Sequence, residues 1–289
     1  RRVLFRSQQG MSTDVQHAEA QVTRVAGPIV QAAGMRAAGM YEVVEVGSKG
    51  LVGEVVRIEG DVGTIQVYED TSMLSPGAPV RRTEAPLSVR LGPGLIGNIF
   101  DGIQRPLRAI HDRHGAWIRR GEKVPALDTE KTWPFEPKAE AGAPAAPGMV
   151  LGEVAESGLV AHRILVPPDV DGRLAWVADA GAYTIEEPVA RVESAGGERD
   201  VRMVQSWPVR QARPTKERLR VDEPLVTGQR IIDTFFPLGK GGTAAIPGGF
   251  GTGKTITQHQ LAKWSDAEII VYIGCGERGN EMTDVLRSF

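Results

Sequence analysis

The stretch Gly248-Gly249-Phe250-Gly251-Thr252-Gly253-Lys254-Thr255 has the G-x-x-x-x-G-K-[ST] spacing, and its residue types suit one task, wrapping a chain of phosphates. Gly248, Gly249, Gly251 and Gly253 let the backbone adopt positive φ and bring its N–H groups against anionic oxygens, where a Cβ would block the approach. Lys254 adds a mobile ammonium for the β- and γ-phosphates, and Thr255 offers a hydroxyl to Mg²⁺. A helix starting here points its positive N-terminal dipole at the same place. The expected ligand is ATP or GTP.

Such a loop works when it is held between a strand and a helix. Gly242-Thr243-Ala244-Ala245-Ile246 reads as a short buried strand ending at Pro247. Thr255 to Trp264 contains no glycine or proline and sets Ile256, Gln260, Leu261 and Trp264 at helical spacing. Glu268-Ile269-Ile270-Val271-Tyr272-Ile273-Gly274 is rich in β-branched residues and predicts a second buried strand. Strand, loop, helix and strand form a βαβ unit. In parallel sheets ligands lie beyond the carboxyl ends of the strands, which aims Glu277 and Arg278 at the phosphates. A carboxylate there can take a proton from an attacking water, and a guanidinium can hold developing charge on the γ-phosphate. A solvated Glu–Arg pair in a turn is the alternative.

Three runs carry a wider resemblance: Thr227-Gly228-Gln229-Arg230-Ile231-Ile232-Asp233-Thr234-Phe235-Phe236-Pro237, Gln258-His259-Gln260-Leu261-Ala262-Lys263-Trp264-Ser265, and Ile273-Gly274-Cys275-Gly276-Glu277-Arg278-Gly279-Asn280-Glu281-Met282. Together with the phosphate loop they resemble the catalytic A subunit of V/A-type rotary ATPases. Phe250 and the Gly-Asn-Glu-Met tail favour that branch over the F-type β subunit. Upstream, Leu91-Gly92-Pro93-Gly94-Leu95-Ile96-Gly97-Asn98-Ile99-Phe100-Asp101-Gly102-Ile103-Gln104-Arg105-Pro106-Leu107 is also similar to an A-subunit segment. The resemblance implies that Gly248 to Thr255, Phe250 included, bind ATP or ADP, that Lys254 contacts phosphate and that Thr255 helps hold Mg²⁺. It makes Glu277 the base that activates water and Arg278 the sensor of the γ-phosphate. Where some eukaryotic relatives have a redox-active cysteine, this chain has Thr252.

The resemblance also implies partners: B subunits alternating with A subunits in an A3B3 hexamer, central and peripheral stalk subunits, and a membrane sector moving protons or sodium ions. The location it implies is peripheral, on the cytoplasmic side of a membrane. The chain has 289 residues, 41% of them hydrophobic, enough for two or three packed cores. A formal charge of −2 gives no general attraction to nucleic acid, and no run approaches the ~20 apolar residues of a membrane span. Neither nucleic-acid binding nor direct membrane insertion is expected. Cys275 is the only cysteine, which excludes an intrachain disulfide and reads as a small buried residue in a reducing compartment.

The fold class that emerges is multidomain. Residues 1–10 are basic, precede Met11, and read as a non-native or untranslated extension, with a targeting extension as the alternative. Residues 11–92 predict a β-barrel with strand-like runs at 22–30, 52–58, 63–68 and 86–91, including a hairpin turning at Glu59-Gly60-Asp61. In the family a comparable barrel joins neighbouring subunits into a crown; a barrel serving only local stability is the alternative.

Residues 93–111 connect, and 112–200 form an inserted β-rich bulge domain, separate from the rest, with strands near 150–154, 162–166 and 173–177. Lys138 to Pro147 reads as a flexible connection in it. The hairpin around Pro167 to Gly172 has the look of a biotinyl or lipoyl carrier, but no lysine lies between Lys138 and Lys216 to bear the prosthetic group. Trp207 to Pro214 reads as a linker into 208–289, the start of a RecA-like α/β P-loop nucleotide-binding domain, with Thr227 capping a helix over 228–236. His111 and His114 share a helix face without a third metal ligand, and His259 reads as a packing or helix-surface residue.

No apolar strand ending in aspartate follows Thr255 in this sequence, so the chain is expected to be a truncated piece that turns over little alone. Two other readings remain: another hexameric RecA-like motor, such as a protein-export ATPase or RNA translocase, and a nucleotide-binding subunit without catalysis.

Overall fold

Between Ala20 and Pro86 several short runs become strands in which inward and outward residues alternate, most of the inward ones apolar. The computed structural model describes residues 20–288 apart from Leu159, Lys216 and Phe250. The extension at 1–10 and Met11 lie outside the described residues. Strands β1 (Ala20–Ala26), β2 (Ile29–Ala33), β3 (Glu42–Val46), β4 (Leu51–Glu59), β5 (Val62–Val67) and β6 (Pro79–Pro86) close into a barrel in the order β1-β2-β5-β4-β3-β6. Its core centres on Val22, Val30, Val44, Val55 and Ile65.

The hairpin at Glu59-Gly60-Asp61 forms, with Glu59 opposite Val62. The run 22–30 is not one strand: Gly27, at φ 60°, turns the chain, and Ala26 pairs back with Ile29. The run 86–91 is split as well, because β7 (Ser88–Leu91) leaves the barrel to pair with a strand far downstream.

Helix α1 (Leu107–His114) follows, then two four-stranded sheets. The first contains β8 (Thr132–Pro137), β10 (Val150–Ala155), β11 (Ala161–Leu165) and β13 (Gly181–Thr184); the second contains β9 (Pro144–Ala145), β12 (Gly172–Val177), β14 (Pro188–Ser194) and β15 (Gly197–Arg202). Phe135 anchors one core, packing edge-on to Tyr183 at 6.2 Å, and a Cβ at Gly152 would sit 2.3 Å from its ring. The segment 138–147 is no free connection. Ala145 is buried in the second core, and the Gly142 N–H donates to the Leu174 carbonyl.

Strand β16 (Gln205–Pro208) pairs antiparallel with β7, Leu91 opposite Gln205 and Ser88 opposite Pro208. The insert therefore leaves and returns at one two-stranded ribbon. Trp207 and Pro208 belong to a sheet rather than a linker. The insert has its own cores yet shares one compact unit with the barrel, and the second unit starts at Thr215.

In that second unit β17 (Pro224–Leu225) pairs with β18 (Leu238–Gly239), and the helices are α2 (Arg230–Phe235), α3 (Lys254–Trp264) and α4 (Gly279–Ser288). Thr227 does not cap a helix over 228–236. Its buried hydroxyl donates to Asp233 at 2.6 Å and accepts from the Gln229 N–H, so α2 begins later, at Arg230. The two predicted buried strands are absent. Residues 242–247 and 268–273 have no ladder partner among the described residues, and Ile269, Val271 and Ile273 stay 48%, 77% and 77% exposed. A parallel strand needs neighbours on its edges, and the described residues supply none.

Carboxylates lock the junctions of the first unit. Glu69, 4% exposed, accepts from the backbone N–H groups of Val52 and Gly121 at 3.1 and 2.7 Å and from Arg105 at 3.1 Å. Glu54, 1% exposed, accepts from Tyr68 Oη and from both Nε and Nη2 of Arg210. The Arg210 hydrogen bonds hold the Glu54 carboxyl below its ordinary value of 4.5 against the opposing effect of burial.

Glu69→Ala leaves Arg105 with Asp101 as its remaining carboxylate and two N–H groups without an acceptor, and is expected to cost about 2 kcal/mol, read by denaturant unfolding. Glu54 takes up protons more readily unfolded than folded, so its stabilisation is present above the unfolded value and fades as pH falls through the lower folded one. The acid-side fall in melting temperature should be shallower in Glu54→Gln than in the parent chain.

Candidate functional site

The phosphate loop forms although the flanking strands do not. Gly253 precedes α3 at φ 82°, ψ 15°, and Gly251 sits at φ 77°, both in the left-handed region that a Cβ disfavours. Gly248 and Gly249 lie outside that region, so only two of the four glycines are needed for positive φ. Gly248 is needed for space, since a Cβ there would be 2.5 Å from the Thr252 hydroxyl; around Gly249 the space is open. Phe250 lies outside the described residues. Thr252 Oγ1 donates to the Gly249 carbonyl at 2.9 Å, and Lys254 Nζ donates to the Gly248 carbonyl at 2.6 Å.

A cleft of about 700 Å³ brings the expected residues together. Gly251, Thr252, Gly253, Lys254 and Thr255 line it together with Gly276, Glu277 and Arg278. Two local contacts position the segment that leads into α4. The Tyr272 ring meets His259 of α3 edge-on at 5.7 Å, and Gly274 lets Met282 of α4 approach so closely that a Cβ would be 2.5 Å from its sulfur. His259 thus packs, half-buried, while also lining the cleft. Cys275 is exposed rather than buried, because no sheet among the described residues covers the turn in which it sits.

Sequence reasoning missed Glu281 and Asp284, which also line the cleft. The signal was present: Glu281 stands four residues after Glu277, the spacing that brings side chains onto one face at a helix start. A hydrogen bond from Glu281, then burial, then the Glu281 charge push the Glu277 carboxyl above its ordinary value, with His259 and Lys254 opposing. Burial and the Glu277 and Glu281 charges raise Tyr272.

Three consecutive stretches match domains of one family. Residues 22–84 match the beta-barrel domain of the ATP synthase alpha/beta family, 124–210 the ATPsynthase alpha/beta subunit barrel-sandwich domain, and 228–289 the family's nucleotide-binding domain. The A subunit of the A-type ATP synthase of Thermococcus sibiricus is 56% identical over 270 residues, covering 93% of this chain and 46% of that relative. The same protein of Methanopyrus kandleri is 56% identical, and the V-type ATP synthase alpha chain of Halothermothrix orenii 54%, each over 93% of this chain.

The chain belongs to the ATP synthase alpha/beta family.

Within that family its similarity is to the A subunits of the A-type and V-type enzymes, as the Phe250 loop and the Gly-Asn-Glu-Met tail implied. It spans about half the length of the curated relatives it matches. The fold is also that of the EscN ATPase of the enteropathogenic E. coli type III secretion system, at TM-score 0.54 and 18% identity, covering 93% of this chain and 44% of EscN. The barrel, the barrel-sandwich insert and the start of the nucleotide-binding domain are thus family features.

The loop glycines should not be equivalent. Gly253→Ala forces a Cβ into a left-handed conformation at a cost of about 1–2 kcal/mol. Gly248→Ala displaces Thr252, whereas Gly249→Ala meets nothing. Denaturant unfolding of the three variants is expected to leave Gly249→Ala closest to the parent.

Proposed function

We propose that this chain carries the phosphate-binding side of a catalytic ATP site in the A subunit of a V/A-type rotary ATPase. The observation that supports it most is one cleft joining Lys254 and Thr255, at the start of α3, to Glu277 and Arg278, just before α4. N–H groups at the start of α3 and the Lys254 ammonium offer positive charge to a triphosphate. To reach a phosphate, Lys254 exchanges its hydrogen bond to the Gly248 carbonyl for one to the nucleotide.

Glu277 accepts a proton from the attacking water. Its raised carboxyl brings it nearer to working pH, where a base is most effective, and it acts only once ionised. Arg278 meets the charge that builds on the transferred phosphoryl group. Thr255 supplies one hard oxygen, and no group of three or more His, Cys, Asp or Glu gathers among the described residues. That donor set fits a cation held by one or two protein oxygens together with substrate phosphates. Bound with the nucleotide, Mg²⁺ supplies charge neutralisation at the phosphate oxygens.

In the whole protein we place this site in an A3B3 hexamer with alternating B subunits, coupled through central and peripheral stalks to a membrane sector that moves protons or sodium ions. The place we assign it is peripheral, on the cytoplasmic side; no helix among the described residues is long and apolar enough to cross a membrane. The fold likeness to EscN makes a protein-export motor the second reading. Identity of 18% to EscN against 54–57% to the A-type and V-type relatives over similar shares of the chain weighs for the rotary ATPase. An intact Lys254, Thr255 and Glu277 weigh against a non-catalytic role.

The test is made in the full-length protein within its assembled complex. Glu277→Gln is expected to lower turnover by about 10²–10⁴-fold while nucleotide binding persists. Lys254→Ala is expected to abolish nucleotide binding, read by calorimetry. Unchanged turnover in Glu277→Gln would make the subunit non-catalytic, and retained affinity in Lys254→Ala would remove the loop from the site.

A further inference from the structure

Glu277 reaches the cleft on a glycine-rich stretch outside any ladder. Residues 268–273 have no ladder partner among the described residues, and Gly274 and Gly276 stand between Tyr272 and Glu277, with Gly276 at φ 68°. Glycines leave a backbone free to swing unless the side chains beside them are held. Two holds are present. On the α4 side, Met282 fills the place where Gly274 lacks a side chain: a Cβ there would lie 2.5 Å from its sulfur and 3.4 Å from Glu277 Cγ, so the Glu277 stem folds back over the glycine. On the α3 side, the rings of His259 and Tyr272 meet edge-on, with centroids 5.7 Å apart and planes at 65°. His259 stands one turn after Thr255 on the same face of α3, and both line the cleft with Lys254. The helix that carries the phosphate-binding groups therefore touches, through one ring, the segment that carries Glu277.

The geometry points to His259 as a positioning residue for hydrolysis: through its ring contact with Tyr272 it fixes Glu277 relative to the Lys254–Thr255 end of α3. The inference rests on Glu277 being the base, as proposed above. His259 touches neither the attacking water nor phosphate in this role, and its ring shape matters rather than its proton. An edge-on pair has a preferred separation and tilt that apolar bulk alone does not reproduce. Rate depends steeply on where the base stands, whereas phosphate affinity depends on Lys254 and on loop amides that bonds within the loop hold in place. Loss of the ring should act on kcat more than on nucleotide affinity.

The experiment uses the full-length protein in its assembled complex. His259→Leu keeps apolar volume without a ring and should lower kcat about tenfold while the nucleotide Kd from calorimetry stays within about twofold. His259→Phe keeps the ring without its nitrogens and should recover most of the loss. Tyr272→Leu should match His259→Leu, and the double variant should be no worse than either alone, since both remove one contact. A second readout needs no turnover: amide hydrogen exchange over 273–278 should speed up in His259→Leu and return toward the parent rate in His259→Phe.

Parental kcat in His259→Leu, a loss in His259→Phe equal to that in His259→Leu, or additive losses in the double variant would overturn the inference. So would unchanged exchange. If Glu277→Gln turns over like the parent, the assignment of the base fails instead, and exchange over 273–278 still reports whether His259 holds the turn.

Discussion

Glu69 accepts hydrogen bonds from the barrel strand at Val52, from the loop at Gly121 and from Arg105, whose guanidinium is also gripped by Asp101 at 2.6 Å. Segments far apart in sequence converge on one carboxylate. Similar groups stand at the other seams of the first unit. Glu42 takes the fork of Arg82 at 2.9 and 3.1 Å where β3 and β6 shift register. Glu156 accepts from the N–H groups of Gly94 and Ile96 and pairs with His162 at 2.8 Å, tying the insert to the segment that enters it.

Apolar contact is non-directional and tolerates sliding, whereas a buried carboxylate with two or three donors has one satisfactory geometry, and removing a donor exposes a charge that burial penalises. Junctions between a barrel and an inserted sandwich have little room for core, and these charges fix them. The run 91–107 therefore has a structural explanation. Asp101 accepts from the N–H groups of Ile103 and Arg105, and Gln104 bonds the backbone of Arg90 on both its N–H and its carbonyl. Its residues build a turn that docks on the ribbon.

The second unit depends on a different kind of contact. Its phosphate loop is assembled by nearest neighbours: left-handed glycines, two side-chain bonds onto loop carbonyls, an edge-on ring pair and one methionine over a glycine. None of these requires a finished sheet. The apolar faces of Ile269, Val271 and Ile273 do, since a parallel strand is normally covered on both sides. Local geometry thus brings Lys254 and Glu277 to one cleft, while the strands that would stiffen their spacing have no partners among the described residues.

The same division explains what the sequence disclosed. The loop, α3, the Glu277-Arg278 turn and the hairpin at Glu59-Gly60-Asp61 depend on short-range spacing, and spacing is legible in one chain. β3 and the edge of β6 were not legible, because Glu42 sits in a buried position that reads as polar until Arg82, forty residues away, satisfies it. Trp207 and Pro208 read as a linker because proline discourages a strand, yet at the end of a two-stranded ribbon the missing N–H costs nothing. Glu281 reads as an ordinary helix-start acid, favourable to the dipole wherever it occurs. What singles it out is its place in the cleft beside Glu277, and that placement follows from how the turn before α4 folds back toward α3 rather than from any property of a helix-start acid alone.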